Sequence, residues 1–240
     1  MRDVNTSSDD VSVTHGDENR AGPAATGQRG HGRRQSGSAP LVSQRRDSLV
    51  RLAAELFARK GFQATTVREI ADKAGILSGS LYHHFDSKES IVDEILSSYL
   101  EELLRDYRAA IAAGGTSREL LARLITVAYA SIEPHRAAIT VVQNDWQYLR
   151  QFPRFAYLDR SEKEIEELWL DVIVAGRASG AFREGADAKL TYRMIRDTIW
   201  VTVRWYRPDG PLGTSDLAAH FMTVLFDGIG TDGQPGAPSL

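Results

Sequence analysis

The chain has 240 residues, of which 42% are hydrophobic and 25% are charged, the composition of an ordinary soluble globular protein. Its net charge of −3 gives no sign of a chain-wide basic surface, and the lack of cysteine excludes disulfides, thiolate chemistry and cysteine-ligated zinc. No apolar run reaches the roughly 20 residues that cross a bilayer, and the N-terminus has no apolar signal core. We therefore expect a cytoplasmic protein with no membrane partner.

The first 40 residues differ in composition from the rest. They contain no Leu, Ile, Phe, Trp or Tyr and are rich in Gly, Ser, Asp and Arg. Such a segment cannot bury enough apolar surface to offset the entropy lost on ordering. We predict a disordered tail over 1–40 and a second disordered end over 230–240.

Three helices are predicted between residues 43 and 90. The first carries an apolar stripe at helical spacing, formed by Leu49, Leu52, Ala53, Leu56 and Phe57. It ends at Gly61, and a capping box of Thr66 and Glu69 opens a second helix of about two turns. Gly75 permits a sharp turn, after which a third helix runs over about Ser78–Phe85. Two short helices joined by a glycine turn are typical of a helix-turn-helix, a DNA-binding motif.

The third helix displays small and hydrogen-bonding residues at its start and along its exposed side. Small residues let a helix approach base edges in the major groove, and hydroxyl, imidazole and phenol groups can bind bases and phosphates. Lys88 begins the next helix, where a cation can meet the DNA backbone. The candidate DNA-binding residues are Thr66, Ser78, Gly79, Ser80, Tyr82, His83, His84 and Lys88.

Two other interpretations of this segment remain open. Three short helices with an apolar centre also suit a purely structural module. His83 and His84 suggest a metal, but adjacent helical residues point about 100° apart, whereas zinc-binding pairs on helices lie three or four residues apart. We expect no metal and no cofactor. Residues 41–90 hold eight Lys or Arg against six Asp or Glu, so DNA binding would depend on a few placed contacts and on a dimer.

The same residues resemble the TetR family of bacterial transcriptional regulators. The likeness lies in LAAELFARKGFQATTVREIADKAG followed by SGSLYHHFDSKESI. It implies that residues matching Thr66, Tyr82, His83 and Lys88 touch the DNA backbone and that early recognition-helix positions touch bases. Two departures concern the operator sequence: Leu77 stands where the family often has a serine N-cap, and Ser78 where it often has Lys or Arg.

The remaining chain is predicted to consist of helices, with no strand pattern. Turn and cap signals, among them a capping box of Thr116 and Glu119, separate helices at about 87–113, 116–132, 134–151, 155–179, 186–206 and 216–228. We therefore predict an all-α fold with a helix-turn-helix DNA-binding domain over 41–90 and a helical effector-binding and dimerisation domain over 91–229.

The last predicted helix is apolar around most of its circumference, which indicates burial on more than one side. An ordinary core helix has the same pattern, but a terminal helix is easily shared between subunits, and two-fold half-sites suit a two-fold protein. The resemblance agrees, because in the family the last two helices form a four-helix bundle with those of the partner. The candidate homodimer contacts are Leu217, Phe221, Val224 and Leu225.

The helix at 186–206 carries a narrow arginine stripe interrupted by one tryptophan, on a helix otherwise expected to be buried. Arginine grips phosphates and carboxylates, and an indole can stack on a flat ring, so the stripe suits a large, anionic, partly planar ligand; a plain solvent-facing side is the alternative. Asp197 is placed to pair with Arg193. The candidate effector-binding residues are Arg193, Arg196, Trp200, Arg204, Trp146 and Tyr129.

Within the family, the body is similar to actinobacterial repressors of steroid degradation, on the strength of PHRAAITVVQNDWQYL and FREGADAKLTYRMIRDTIWVTVRWYRPDG. This likeness implies a repressor released by a coenzyme A thioester of a steroid-ring remnant. A sensor of another ligand, such as a fatty acyl-CoA or a cationic drug, is the alternative. A helical acyl-thioester enzyme is a third, but no clustered Glu/His spacing or serine nucleophile elbow supports it.

Overall fold

A computed structural model describes residues 38–228, with side chains from residue 44 onward. The end predicted as disordered over 230–240 lies outside these residues, as does the tail predicted over 1–40 except for 38–40, which belong to a helix because α1 begins at Ser38. The described part is all-α, as predicted, and contains one short 3₁₀ helix, Pro153–Phe155. Its nine α-helices are α1 (Ser38–Lys60), α2 (Val67–Lys73), α3 (Ser78–Tyr82), α4 (Lys88–Ala112), α5 (Ser117–Ala130), α6 (Ile132–Leu149), α7 (Ala156–Ala178), α8 (Ala188–Trp205) and α9 (Thr214–Phe226).

The first three helices form a small head around α1. The stripe predicted on α1 is buried at Leu49, Ala53, Leu56 and Phe57. The capping box between Thr66 and Glu69 is present, with the Glu69 N–H donating to the threonine hydroxyl at 3.2 Å. The recognition helix α3 is shorter than expected, because it ends at Tyr82. Residues 83–85 follow it in hydrogen-bonded turns.

The long helix α4 leaves the head and continues into the body, where α5, α6 and α7 pack against it and α8 packs against α6 and α7. One face of α4 is buried over nearly its whole length, from Ile91 to Ala110. The predicted cap at Thr116 is also present, and the carboxylate of Glu119 accepts the Thr116 N–H at 2.8 Å. The helix containing Pro134 starts at Ile132, two residues earlier than expected, and its backbone leaves helical geometry at His135.

The core is continuous between head and body. Buried side chains of α1, α4 and α6 meet in a single apolar cluster, so the head is not an isolated module. Within residues 38–228, no helix is both long and apolar enough to cross a membrane.

Candidate nucleic-acid interface and effector cavity

The recognition helix α3 presents the predicted small and polar surface. Gly79, Ser80, Tyr82 and His83 are exposed, and Tyr82 retains 54% of its surface. Ser78 and His84 are partly buried. The helix is held from below by two buried side chains, Leu81 and Phe85. The exposed side is therefore free to face a partner, while the buried side fixes its orientation.

Arg46 on α1 holds the end of the recognition helix in place. Its guanidinium donates to the carbonyl oxygen of His84 and lies 4.2 Å from the centroid of the Phe85 ring. The same group binds the carboxylate of Glu94 on α4 through two nitrogens, Nε to Oε1 being 3.1 Å. Three segments of the head thus share one charged anchor.

The hydroxyl of Thr66 serves first as a helix cap, although the residue is exposed. The Lys60 ammonium and the Thr66 N–H both bind the carboxylate of Glu69, and they lower its pKa below the ordinary value. The predicted phosphate contact by Thr66 therefore has to coexist with the capping box.

Lys88 begins α4, as expected, but its ammonium group is bound within the protein rather than directed at a DNA partner. Its ammonium donates to the carbonyl oxygens of Phe62 at 2.7 Å, Thr65 at 2.9 Å and Gln63 at 3.3 Å, and it lies 4.3 Å from the Phe62 ring centroid. Partial burial lowers its pKa. A lysine ammonium has three donors, and all three are committed here to the loop between α1 and α2.

That loop is also tied to the body. Asp145 on α6 is only 7% exposed, and its carboxylate accepts the backbone N–H of Phe62 at 3.1 Å. Phe62 is thus held at both ends of its backbone, at the N–H by α6 and at the carbonyl by Lys88 at the start of α4. We call Asp145, Phe62 and Lys88 the head–body link.

A mostly apolar cavity lies between α4, α5, α6, α7 and α8. Aromatic and aliphatic side chains form its wall, with a few polar groups among them. The lining residues are Tyr99, Leu100, Leu103, Tyr107, Ala128, Ser131, Ile132, Ile139, Val142, Trp146, Leu158, Glu162, Ile165, Trp169, Tyr192, Arg196, Ile199, Trp200 and Val203.

Three of the six predicted effector-binding residues line this cavity: Trp146, Arg196 and Trp200. The other three do not. Arg193 and Arg204 are exposed on α8, and the buried Tyr129 packs against Phe221 of α9 at a ring-centroid distance of 5.8 Å. Periodicity placed all of them correctly on helices but could not say which side faced the cavity.

The charge in the cavity is concentrated at Arg196. Its guanidinium binds Asp197 (Nη2 to Oδ1, 2.9 Å) and lies 3.8 Å from a carboxylate oxygen of Glu162 on α7. The predicted ion pair between Asp197 and Arg193 was wrong, because Asp197 binds the adjacent Arg196 instead. Burial raises the pKa of Tyr192, which Arg196 partly covers, to about 12.

Two buried phenols add neutral polar groups to the same wall. Burial raises the pKa of Tyr99 and of Tyr107 well above the ordinary value. Both phenols therefore stay protonated at neutral pH and act as hydrogen-bonding groups without charge. The cavity thus offers one cation, one nearby carboxylate and several neutral donors within apolar walls.

Helix α8 has three sectors around its axis. One sector packs into the core through Tyr192, Ile195, Ile199 and Val203. The second is the arginine–tryptophan stripe. The third is apolar and exposed, contrary to the expectation that the remainder of this helix is buried: its exposed fractions reach 65% at Met194, and its members are Leu190, Met194, Val201 and Trp205.

Helix α9, which packs against α5, also leaves apolar side chains only partly covered in the single chain. In the single chain only Ala218 of α9 is buried. The predicted contacts Leu217, Phe221 and Leu225 are partly buried, and Val224 is 38% exposed. We call the exposed sector of α8 together with these α9 residues the α8–α9 face. The α8 residues of this face were not predicted as contacts, because the apolar residues of that helix were expected to be buried, although the family resemblance implies that both of the last two helices meet the partner.

Sequence reasoning also missed as cavity residues Tyr99 and Tyr107 of α4, Glu162 of α7 and Tyr192 of α8. Glu162 lies on a charged stretch of α7, where a carboxylate normally faces solvent, and the tyrosines fall on stripes that simply predict a core. Only the packing of α4 and α8 against α7 brings them together.

Comparison with known proteins assigns the family. Residues 49–95 match the model for bacterial regulatory proteins of the tetR family, and residues 114–229 match that for the tetracyclin repressor-like C-terminal domain. The chain belongs to the TetR family of transcriptional regulators. The first match covers the head from Leu49 onward and the beginning of α4, and the second covers the body from the end of α4 to the end of the described chain.

Four curated relatives that are 42–47% identical to the chain are repressors. The chain is 47% identical to the HTH-type transcriptional repressor KstR2 of Rhodococcus jostii over 78% of its length and 92% of that protein. It is 44% identical to KstR2 of Mycobacterium tuberculosis, over 80% and 96% of the two chains. The solved structure of that ketosteroid transcriptional regulator matches with a TM-score of 0.75, covering 82% of this chain and 98% of the other. The chain is therefore a TetR-type transcriptional repressor, and the prediction of a regulator rather than an enzyme is confirmed.

Proposed function

We propose that this repressor binds a palindromic DNA operator as a homodimer and is released by a coenzyme A thioester of a steroid-ring degradation intermediate. The observation that carries the effector assignment is the cavity itself, in which a single guanidinium, Arg196, is set at an aromatic and aliphatic wall beside Trp200. The repressor class rests on the KstR2 relatives; the operator, the dimer and the ligand are the proposal.

DNA recognition is assigned to the exposed side of α3. Ser78, Gly79 and Ser80 are small enough to let the helix approach base edges, and Tyr82 and His83 are exposed for phosphate contacts. His84 and Thr66 are proposed as secondary contacts, because each has another structural role. Lys88 is proposed to act through the head–body link rather than through phosphate.

Dimerisation is assigned to the α8–α9 face. Exposed Met194 and Trp205 would leave large apolar surfaces in water in a single chain, and contiguous apolar patches of this kind mark interaction sites. A second copy offers the same face, which is what a two-fold interface requires. Such a dimer presents two copies of α3 to half-sites about 34–36 Å apart.

The ligand class follows from matching the cavity to a molecule with two parts. The apolar, aromatic wall suits a fused hydrocarbon ring system, and Arg196 suits an anionic or carbonyl group at its edge. Arg193 and Arg204 lie on the exposed edge of the same stripe, where the phosphates of coenzyme A would reach water. The name of the M. tuberculosis relative, a ketosteroid regulator, supports the steroid part.

A sensor of a fatty acyl-CoA or a cationic drug is the second candidate. Glu162 favours a cation, since it is the carboxylate in the cavity, but it lies beside Arg196, which offsets its charge. A fatty acyl chain would use the same apolar wall. Direct competition between ligands decides among the three.

Release is proposed to pass through the head–body link. Trp146 lines the cavity, and the next residue towards the N-terminus, Asp145, binds the Phe62 N–H. A ligand that displaces α6 therefore pulls on the loop between α1 and α2, which helps to orient the head. A ligand shifts the equilibrium between the DNA-binding and the released arrangement only if it binds one of them more tightly. We assign that difference in affinity to the contact with Trp146.

The test uses the full chain and an inverted repeat that it selects from random duplexes. Calorimetry would compare the CoA thioester of a bicyclic steroid remnant with the free acid, a long-chain acyl-CoA and a cationic dye, and fluorescence anisotropy would follow release from DNA. We expect tight binding and release only with the steroid thioester. Release by the dye or by the fatty acyl-CoA alone would replace the proposed ligand by that class.

A further inference from the structure

The residue immediately before the recognition helix is an exposed leucine. Leu77 keeps 80% of its surface, the largest exposed fraction among the large hydrophobic residues of the described chain. Its carbonyl accepts the N–H of Ser80 at 2.9 Å, so the backbone of Leu77 is part of the start of α3 and its position is fixed. A large aliphatic group is therefore held in water at the edge of the surface assigned to DNA.

The same position lacks the cap that the chain uses elsewhere. Thr66, Ser87 and Thr116 cap α2, α4 and α5 with side-chain hydroxyls. Leu77 occupies the N-cap position of α3 and makes no such bond. Leucine is a poor N-cap, and its side chain gains nothing from the folded chain. The residue thus suits neither the stability of α3 nor burial in the head.

We propose that Leu77 is a specificity-determining residue that contacts the 5-methyl group of a thymine in each operator half-site. This inference rests on the proposed function. Residues at the start of a recognition helix meet base edges in the major groove. An aliphatic side chain has no donor or acceptor with which to bind a base edge, and the thymine methyl is the apolar group that base pairs present in that groove.

The small residues that follow make room for this contact. A side chain added at Gly79 would meet nothing within 4 Å, so the surface beside Leu77 is open. Ser80 is also small and exposed. Leu77 is consequently the large exposed side chain at this end of α3, and it is the one available to meet a methyl group in the groove.

The experiment removes the methyl group from the DNA and the leucine from the protein in one cycle. The full chain first selects its inverted repeat from random duplexes, and each thymine is then replaced in turn by deoxyuridine, symmetrically in both half-sites. Dissociation constants are measured by fluorescence anisotropy for the native protein, Leu77→Ala and Leu77→Ser. Val174→Ala is the matched control, because it shortens a half-exposed apolar side chain on α7, which is not part of the surface assigned to DNA.

We expect one thymine per half-site at which deoxyuridine weakens native binding about fourfold per methyl group, or about sixteenfold for both half-sites. Leu77→Ala and Leu77→Ser bind both duplexes equally, whereas Val174→Ala keeps the full methyl effect. Leu77→Ser, which gains a capping hydroxyl, melts no lower than the native protein, so any lost discrimination is not misfolding.

The contact is overturned if the duplex is bound but no thymine shows a methyl effect that depends on Leu77. It is also overturned if Leu77→Ala discriminates as well as the native protein does. Failure to select any duplex would overturn the operator proposal together with this contact, and is distinguishable from either result.

Discussion

The head–body link predicts a measurable loss when Asp145 is replaced by alanine. The Phe62 N–H, now bound to Asp145 at 3.1 Å in a buried site, would be left without an acceptor. An unsatisfied buried donor costs about 1–3 kcal/mol. For a chain of this size each kcal/mol lowers the melting temperature by about 2–4 °C, so we expect a drop of about 2–12 °C.

Thermal and urea unfolding of the full chain at fixed protein concentration would measure the effect. Asp145→Asn keeps an acceptor oxygen and should recover at least half of the loss. Asp159→Ala is the matched control, because it removes a carboxylate whose partner, Arg150 at 3.2 Å, lies at the exposed surface. Exposed pairs contribute at most about 1 kcal/mol, and the control should shift melting by no more than a few degrees.

The same variant tests the proposed route of release. If α6 moves the head through this bond, Asp145→Ala should bind the effector with native affinity yet need several times more of it to leave the operator. A variant that melts like the native protein, or that couples ligand to release normally, would refute the reasoning about the head–body link.

Three further variants separate the surfaces. Tyr82→Ala should weaken operator binding across sequences by about tenfold, as loss of a backbone contact does, and leave calorimetric ligand affinity unchanged; an equal loss of both would contradict the division of labour. Arg196→Ala should reduce ligand affinity at least tenfold and blunt release while DNA binding stays intact, whereas the exposed Arg193→Ala should lose less; a reversed order would move the ligand outside the cavity. Met194→Glu should yield monomers in ultracentrifugation and lose operator affinity. Val174→Glu, which places a charge on a similarly exposed apolar site of α7, should remain dimeric. If both variants are monomeric, or if both remain dimeric, the α8–α9 face is not the interface.

The elements set by neighbouring residues were predictable from the sequence. The capping boxes at Thr66 and Thr116 join residues three apart, and the helices begin where those boxes predict. The core stripe of α1 follows from spacing in the same way. Local pattern is sufficient here because each of these features depends on a single helix and its ends.

Features that join distant residues were beyond sequence reasoning. The bond between Asp145 and Phe62 spans 83 positions, and nothing near either residue signals the other. The cavity pairs Glu162 of α7 with Arg196 of α8 only through helix packing. On α8, an apolar residue in the core and one at an interface look alike in sequence. For this reason Met194 was expected to be buried, whereas it is exposed in the single chain.

The three sectors of α8 restrict how this repressor can acquire a new inducer. Substitutions in the core sector would destabilise the fold, and those in the exposed apolar sector would weaken binding of the partner. On this helix, changes of inducer specificity are therefore confined to Arg196, Trp200 and their flanking arginines. A randomised library of α8 should therefore return altered inducer preferences from positions three or four residues apart. Paralogues with other inducers would diverge along that same narrow strip.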